Sequence, residues 1–132
     1  MQGSGFVFGA YTHCAWPAAA RGVVADPSGR SFLFSLSNKD NHPLRFSLKD
    51  KGRAIHVTGN SVMFGKDKGQ SSVFCNLCLF HGLAANADKG NFVFDLDNPL
   101  SAYQADGGAP VAHNFVAGDV YFAAAEIEVF QL

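Results

Sequence analysis

Two thiols separated by two residues, Cys75-Asn76-Leu77-Cys78, form the stretch of this chain best suited to chemistry. At that spacing a cysteine pair can chelate zinc, or cycle between dithiol and disulfide once a nearby positive charge lowers one thiol pKa. A structural zinc site takes four ligands, and the sequence contains no second Cys-x-x-Cys. His81, His13 and Cys14 are the side chains that folding could bring to Cys75 and Cys78. Positions three apart on an extended strand point to opposite faces, so a strand through this stretch would separate the two thiols. The expectation is therefore buried, idle thiols that pack as small hydrophobes. Metal or thiol chemistry at Cys75, Cys78 and His81 is the alternative.

Other reactive side chains are placed less favourably. Glu126 and Glu128, like Asp95 and Asp97, lie two apart and share a strand face, as a general acid and base would. No nucleophile or basic partner is placed beside either pair, and a solvated or salt-bridged face is the simpler expectation. The five histidines fall in separate segments without a His-x-x-x-His spacing. No nucleophile elbow, phosphate loop or dinucleotide fingerprint is present, and Gly3-Ser4-Gly5 lacks the strand-then-helix context it would need. Trp16, beside Pro17, suits a core or rim anchor, with a binding surface as its other use. No catalytic residue and no cofactor are expected.

The elements that must position these residues are strands. Phe32-Leu33-Phe34-Ser35-Leu36-Ser37 alternates with period 2, which places Phe32, Phe34 and Leu36 together on the expected core side, opposite Leu33, Ser35 and Ser37. Asn38 to Pro43 is a turn, and Leu44, Phe46 and Leu48 then share one face of a strand expected to pair antiparallel with the first. Gly5 to Thr12 reads as a strand in which Gly9 admits a close neighbour or bends the strand. Residues 15–25 read as an irregular excursion, and Asp26-Pro27-Ser28-Gly29 as a turn opening a hairpin into Ser31. Lys49 to Arg53 is a charged turn. Short strands follow at 54–58, 72–81 and 91–96, the second buried on both faces, and 62–65 is a short apolar stretch. Ser101 to His113 reads as a long loop, and 119–122 and 126–130 as closing strands. Together these indicate an all-β to mainly β fold, a two-sheet antiparallel β-sandwich with a few short helical turns.

Composition agrees. The chain of 132 residues is expected to be one domain over 1–132; it is 48% hydrophobic and 16% charged, with 13 Phe to fill the interior. A net charge of −1 favours neither nucleic acid nor an anionic membrane. No stretch reaches the about 20 apolar residues of a membrane span, and the first residues do not form a secretory signal. Three cysteines cannot all pair within one chain, and free thiols fit an intracellular, cytoplasmic setting. Oligomeric state is left open.

The order Phe8-Gly9-Ala10-Tyr11-Thr12, Trp16, Ser31-Phe32-Leu33-Phe34-Ser35-Leu36, Pro43-Leu44-Arg45-Phe46, Ala54-Ile55, Phe64-Gly65, Ala117-Gly118 and the closing Glu126-Ile127-Glu128-Val129-Phe130-Gln131-Leu132 resembles the TLDc domain over almost the whole chain. The resemblance implies two antiparallel sheets packed as a sandwich. It also implies a non-enzymatic, protein-binding role linked to oxidative-stress protection and, for several members of the family, binding to the vacuolar proton pump. The family domain usually begins with a further strand and helix, so the chain is expected to be N-terminally short. A thiol- or metal-dependent antioxidant enzyme using Cys75 and Cys78, and a small-ligand-binding β-sandwich, are the alternative readings.

Overall fold

A computed structural model describes residues 5–14, 22–38, 40–57, 61–65, 76–80, 91–93, 101–108 and 121–122. Among these residues the strands are β1 (Val7–Tyr11), β2 (Gly22–Val24), β3 (Phe32–Ser37), β4 (Leu44–Leu48), β5 (Ile55–Val57), β6 (Ser61–Phe64), β7 (Leu77–Phe80), β8 (Asn91–Val93), β9 (Tyr103–Ala105) and β10 (Tyr121–Phe122). They form an antiparallel four-stranded sheet, β1-β3-β4-β9, and an antiparallel six-stranded sheet, β10-β8-β7-β6-β5-β2. The helical content of the described residues is two 3-10 turns, Lys51–Arg53 and Asp106–Gly108. The core lies between the sheets: Leu33, Phe46, Leu48 and Tyr103 from the first meet Ile55, Val57, Val62, Phe64 and Leu77 from the second. The fold is a mainly β sandwich.

β3 does pair with β4, and Leu44, Phe46 and Leu48 do face inward, but the inner face of β3 is the one carrying Leu33 and Ser35. Register decides this. Leu33 stands opposite Phe46 and Ser35 opposite Leu44, so Phe32, Phe34 and Leu36 are turned away from the core. A one-residue slip would exchange the faces. Ser35 is fully buried and accepts a hydrogen bond from Asn38 Nδ2 at 2.9 Å, so its polar group is satisfied. Phe8, which packs against the core cluster, stands opposite Ser35 across the β1–β3 pair.

The turn residues act as their chemistry requires. Asn38 closes the β3–β4 connection: its Nδ2 also donates to His42 O, and its Oδ1 accepts from the amides of Asp40 and His42. Asp50 caps the Lys51–Arg53 turn by accepting from Gly52 N at 3.0 Å and pairs with Arg53 Nε at 2.7 Å. Two expectations fail. Gly29 N reaches Asp26 O at 3.0 Å, as a Pro-containing turn should, yet no hairpin forms; β2 pairs with β5, and the turn carries the chain from one sheet to the other. The excursion expected over 15–25 therefore ends in a strand. In the expected loop at 101–113, Tyr103–Ala105 pairs with β4 as β9, because Tyr103 and Ala105 have core space to fill beside Leu48 and Phe46.

Candidate functional site

Cys78, on β7, is wholly buried opposite Met63. Its neighbour Leu77 points into the core, so Cys78 lies on the other face of the six-stranded sheet, and both faces of β7 are covered there, as expected of this stretch. Cys75 and His81 lie outside the described residues, as do Trp16, Asp95, Asp97, Glu126 and Glu128. Cys14 follows β1 and packs on the core cluster, half-buried, while His13 is exposed. Among the described residues no three His, Cys, Asp or Glu side chains converge as metal ligands would.

One hydroxyl–carboxylate pair has the spacing of a nucleophile and its base. Ser31 Oγ donates to Asp26 Oδ2 at 2.6 Å, and both residues are buried. Four donors converge on Asp26: Ser28 N and Oγ on Oδ1 at 3.1 and 2.5 Å, Ser31 N and Oγ on Oδ2 at 2.9 and 2.6 Å. Burial pushes the carboxyl pKa upward, but the hydrogen bonds from Ser28 and Ser31 outweigh it and hold the group well below the usual carboxylate range. A carboxylate so held is a poor base. Ser31 Oγ in turn accepts from His13 N at 3.0 Å, and Thr12 Oγ1 contacts Cys14 Sγ at 2.8 Å. The network ties the β2–β3 crossover to the end of β1. Nearby, burial first, with the Cys14 and Asp26 charges adding to it, pushes the Tyr103 phenol above its ordinary range; its hydroxyl donates to Ala54 O at 2.8 Å.

Among the described residues, the outer face of the four-stranded sheet gathers aromatic and apolar side chains on the side away from the core. Registers place Tyr11 opposite Phe32, Gly9 opposite Phe34, Phe34 opposite Arg45 and Phe32 opposite Ser47, all on the side away from the core. Tyr11 and Phe32 pack with ring centroids 5.2 Å apart, Phe32 and Phe34 at 6.3 Å. The Arg45 guanidinium lies 4.3 Å from the Phe32 ring centroid. The Phe34 ring leans over Gly9, where a Cβ would stand 2.8 Å from Cζ, so the glycine makes room for the aromatic. Between Val7 and Phe8 the register shifts, and Leu36 has no residue opposite it. Val7 and Leu36 are 50% and 57% exposed at this end of the face. At the other side Ser47 hydrogen-bonds to Asp106.

A family model of the TLDc domain matches residues 2–132. The chain belongs to the TLDc domain family. No curated protein and no solved structure matches it. TLDc membership carries a family-level link to oxidative-stress protection and to protein interaction. Among the described residues of this TLDc domain, no helix is long and apolar enough to cross a membrane.

Sequence reasoning placed Phe32, Phe34 and Leu36 on one face but assigned that face to the core, and it missed Tyr11 and Arg45 as members. The signal lay in the alternation of β4. Once Leu44, Phe46 and Leu48 are turned inward, Arg45 must project outward, and whatever pairs with it shares its face.

Proposed function

We propose that this chain is a single, non-catalytic TLDc domain that works through protein contact in oxidative-stress protection, in the cytoplasm, with the vacuolar proton pump as its partner. The observation that supports this most is the outer face of the four-stranded sheet, where Val7 and Leu36 are exposed beside the Tyr11, Phe32 and Phe34 rings. Contiguous apolar surface of this kind serves recognition more readily than catalysis. The buried Asp26–Ser31 network is consumed by the fold, and the full burial of Cys78 argues against its use as an antioxidant thiol.

The test is co-sedimentation of the folded chain with the catalytic sector of the pump, together with its ATP hydrolysis. Binding that is lost in Leu36→Asp, a change at an exposed position, is the expected result. Absence of binding by the folded parent chain refutes the assignment of the pump, and binding unaffected by Leu36→Asp refutes the assignment of the face.

A further inference from the structure

We propose that the outer sheet face takes an acidic, apolar protein segment, whose carboxylate pairs with Arg45 while its apolar side chains cover Phe34, Leu36 and Val7. This rests on the reading of the chain as a protein-interaction domain and specifies the chemistry of the partner. Arg45 is exposed, and among the described residues no carboxylate pairs with its guanidinium; its recorded contact is the Phe32 ring. That contact holds the cation in place without neutralising it, and places it within the apolar patch, two residues along β4 from Ser47 and its Asp106 acceptor. A preordered guanidinium with free donors beside an apolar surface matches a carboxylate flanked by apolar groups, because its fork can hold both carboxylate oxygens.

Charge decides between this occupant and others. A surface that holds anionic lipid needs clusters of about four to eight Lys or Arg. Among the described strand residues of this face Arg45 is the one basic side chain, and the Asp106 carboxylate lies at its side. Single-stranded nucleic acid would need free ring faces for stacking and a basic groove. Here the guanidinium already covers Phe32, and the net charge is −1. A second copy laid face to face about a two-fold axis at Arg45 would bring two guanidinium groups together.

Two synthetic peptides test the proposal, one alternating glutamate with leucine and the other lysine with leucine, each titrated into the isotope-labelled chain by NMR. The expected result is binding of the glutamate peptide, with shifts confined to β1, β3 and β4 around Arg45. Arg45→Glu should weaken it about ten-fold and give the lysine peptide the advantage. Equal binding of both peptides, no binding at about 1 mM, or shifts elsewhere would overturn it. So would Arg45-dependent binding to phosphatidylserine vesicles or oligo-dT, or dimerisation that Arg45→Glu abolishes. Pump binding that survives Arg45→Glu would sink this inference while leaving the proposed function standing. Peptide binding without pump binding would do the reverse.

Discussion

Gly65 is the position where one methyl group should do most damage. It follows β6 with φ +74°, and it packs beneath the buried side chains of Asn76 and Tyr103. In Gly65→Ala the left-handed backbone alone costs about 1–2 kcal/mol. The new Cβ would stand 2.1 Å from Asn76 Oδ1 and 2.9 Å from Tyr103 Cδ2, so the Asn76 amide has to move. That amide accepts from Tyr103 N at 3.2 Å and donates to Ser101 Oγ at 3.0 Å. Displacing it leaves the Tyr103 N–H buried without an acceptor, about 1–3 kcal/mol. Crowding of the Tyr103 ring adds about 1–3 kcal/mol, though terms that share one relaxation do not add in full. A net loss of about 3–6 kcal/mol is then expected, a large part of the about 5–15 kcal/mol that holds a domain folded. With a urea slope of about 1–3 kcal/mol per molar, the midpoint should fall by at least about 1 M. A midpoint within about 0.3 M of the parent would refute the argument. The cause can also be isolated in a double-mutant cycle, because in an Asn76→Gly background the same methyl group meets no amide and should cost less; additive losses would show that the clash is not the mechanism.

The remaining predictions follow from burial and charge. Phe46→Ala should cost about 3–5 kcal/mol because Phe46 is enclosed in the core, and Phe34→Ala only about 1 kcal/mol because its ring lies on the outer face; denaturant midpoints in the reverse order would place the wrong face inward. Asp26 has its pKa depressed below the reference 3.8, so its contribution is fully present above that value and is lost as pH falls through the folded pKa. The parent should therefore lose stability between about pH 4 and pH 2 more steeply than Asp26→Asn, and parallel melting curves across that window would contradict the hydrogen-bonded carboxylate. Cys78 should resist maleimide in the folded chain and react only as denaturant unfolds it. Mass spectrometry reads the modified residue, and labelling of Cys78 under native conditions would show that its burial is wrong.

Local chemistry makes much of the architecture legible in the sequence. Alternation marked Leu44–Leu48 as a strand with a known inner face, Asn38 to Pro43 as its turn, and Gly9 as a place of close approach. What period 2 cannot supply is which of two apolar faces turns inward. On β3 the choice lay between two phenylalanines with a leucine and one leucine with two serines, and bulk pointed to the wrong set. The decision belonged to the pairing of Leu33 with Phe46, a non-local fact, and to Asn38, which satisfies the Ser35 hydroxyl and so makes a buried serine tolerable. The missed β9 has the same origin. The Gly-, Ala- and Pro-rich stretch from Ser101 carries a weak strand signal, and Tyr103–Ala105 becomes a strand because Leu48 and Phe46 offer it a partner.

The candidate site was hidden by the same ambiguity. The residues with reactive side chains attract attention first, yet in the fold the most reactive-looking pair, Asp26 and Ser31, is fixed by four hydrogen bonds to the carboxylate, and Cys78 has no surface. Function in this domain is better sought where the fold leaves interactions unused. An exposed leucine at a register shift, a phenylalanine over a glycine and an arginine held on a ring, with no counter-charge among the described residues, are each ordinary alone. Antiparallel pairing brings them onto one face, and their coincidence gives that surface both an apolar area to bury and a charge to match, the two requirements of a specific contact.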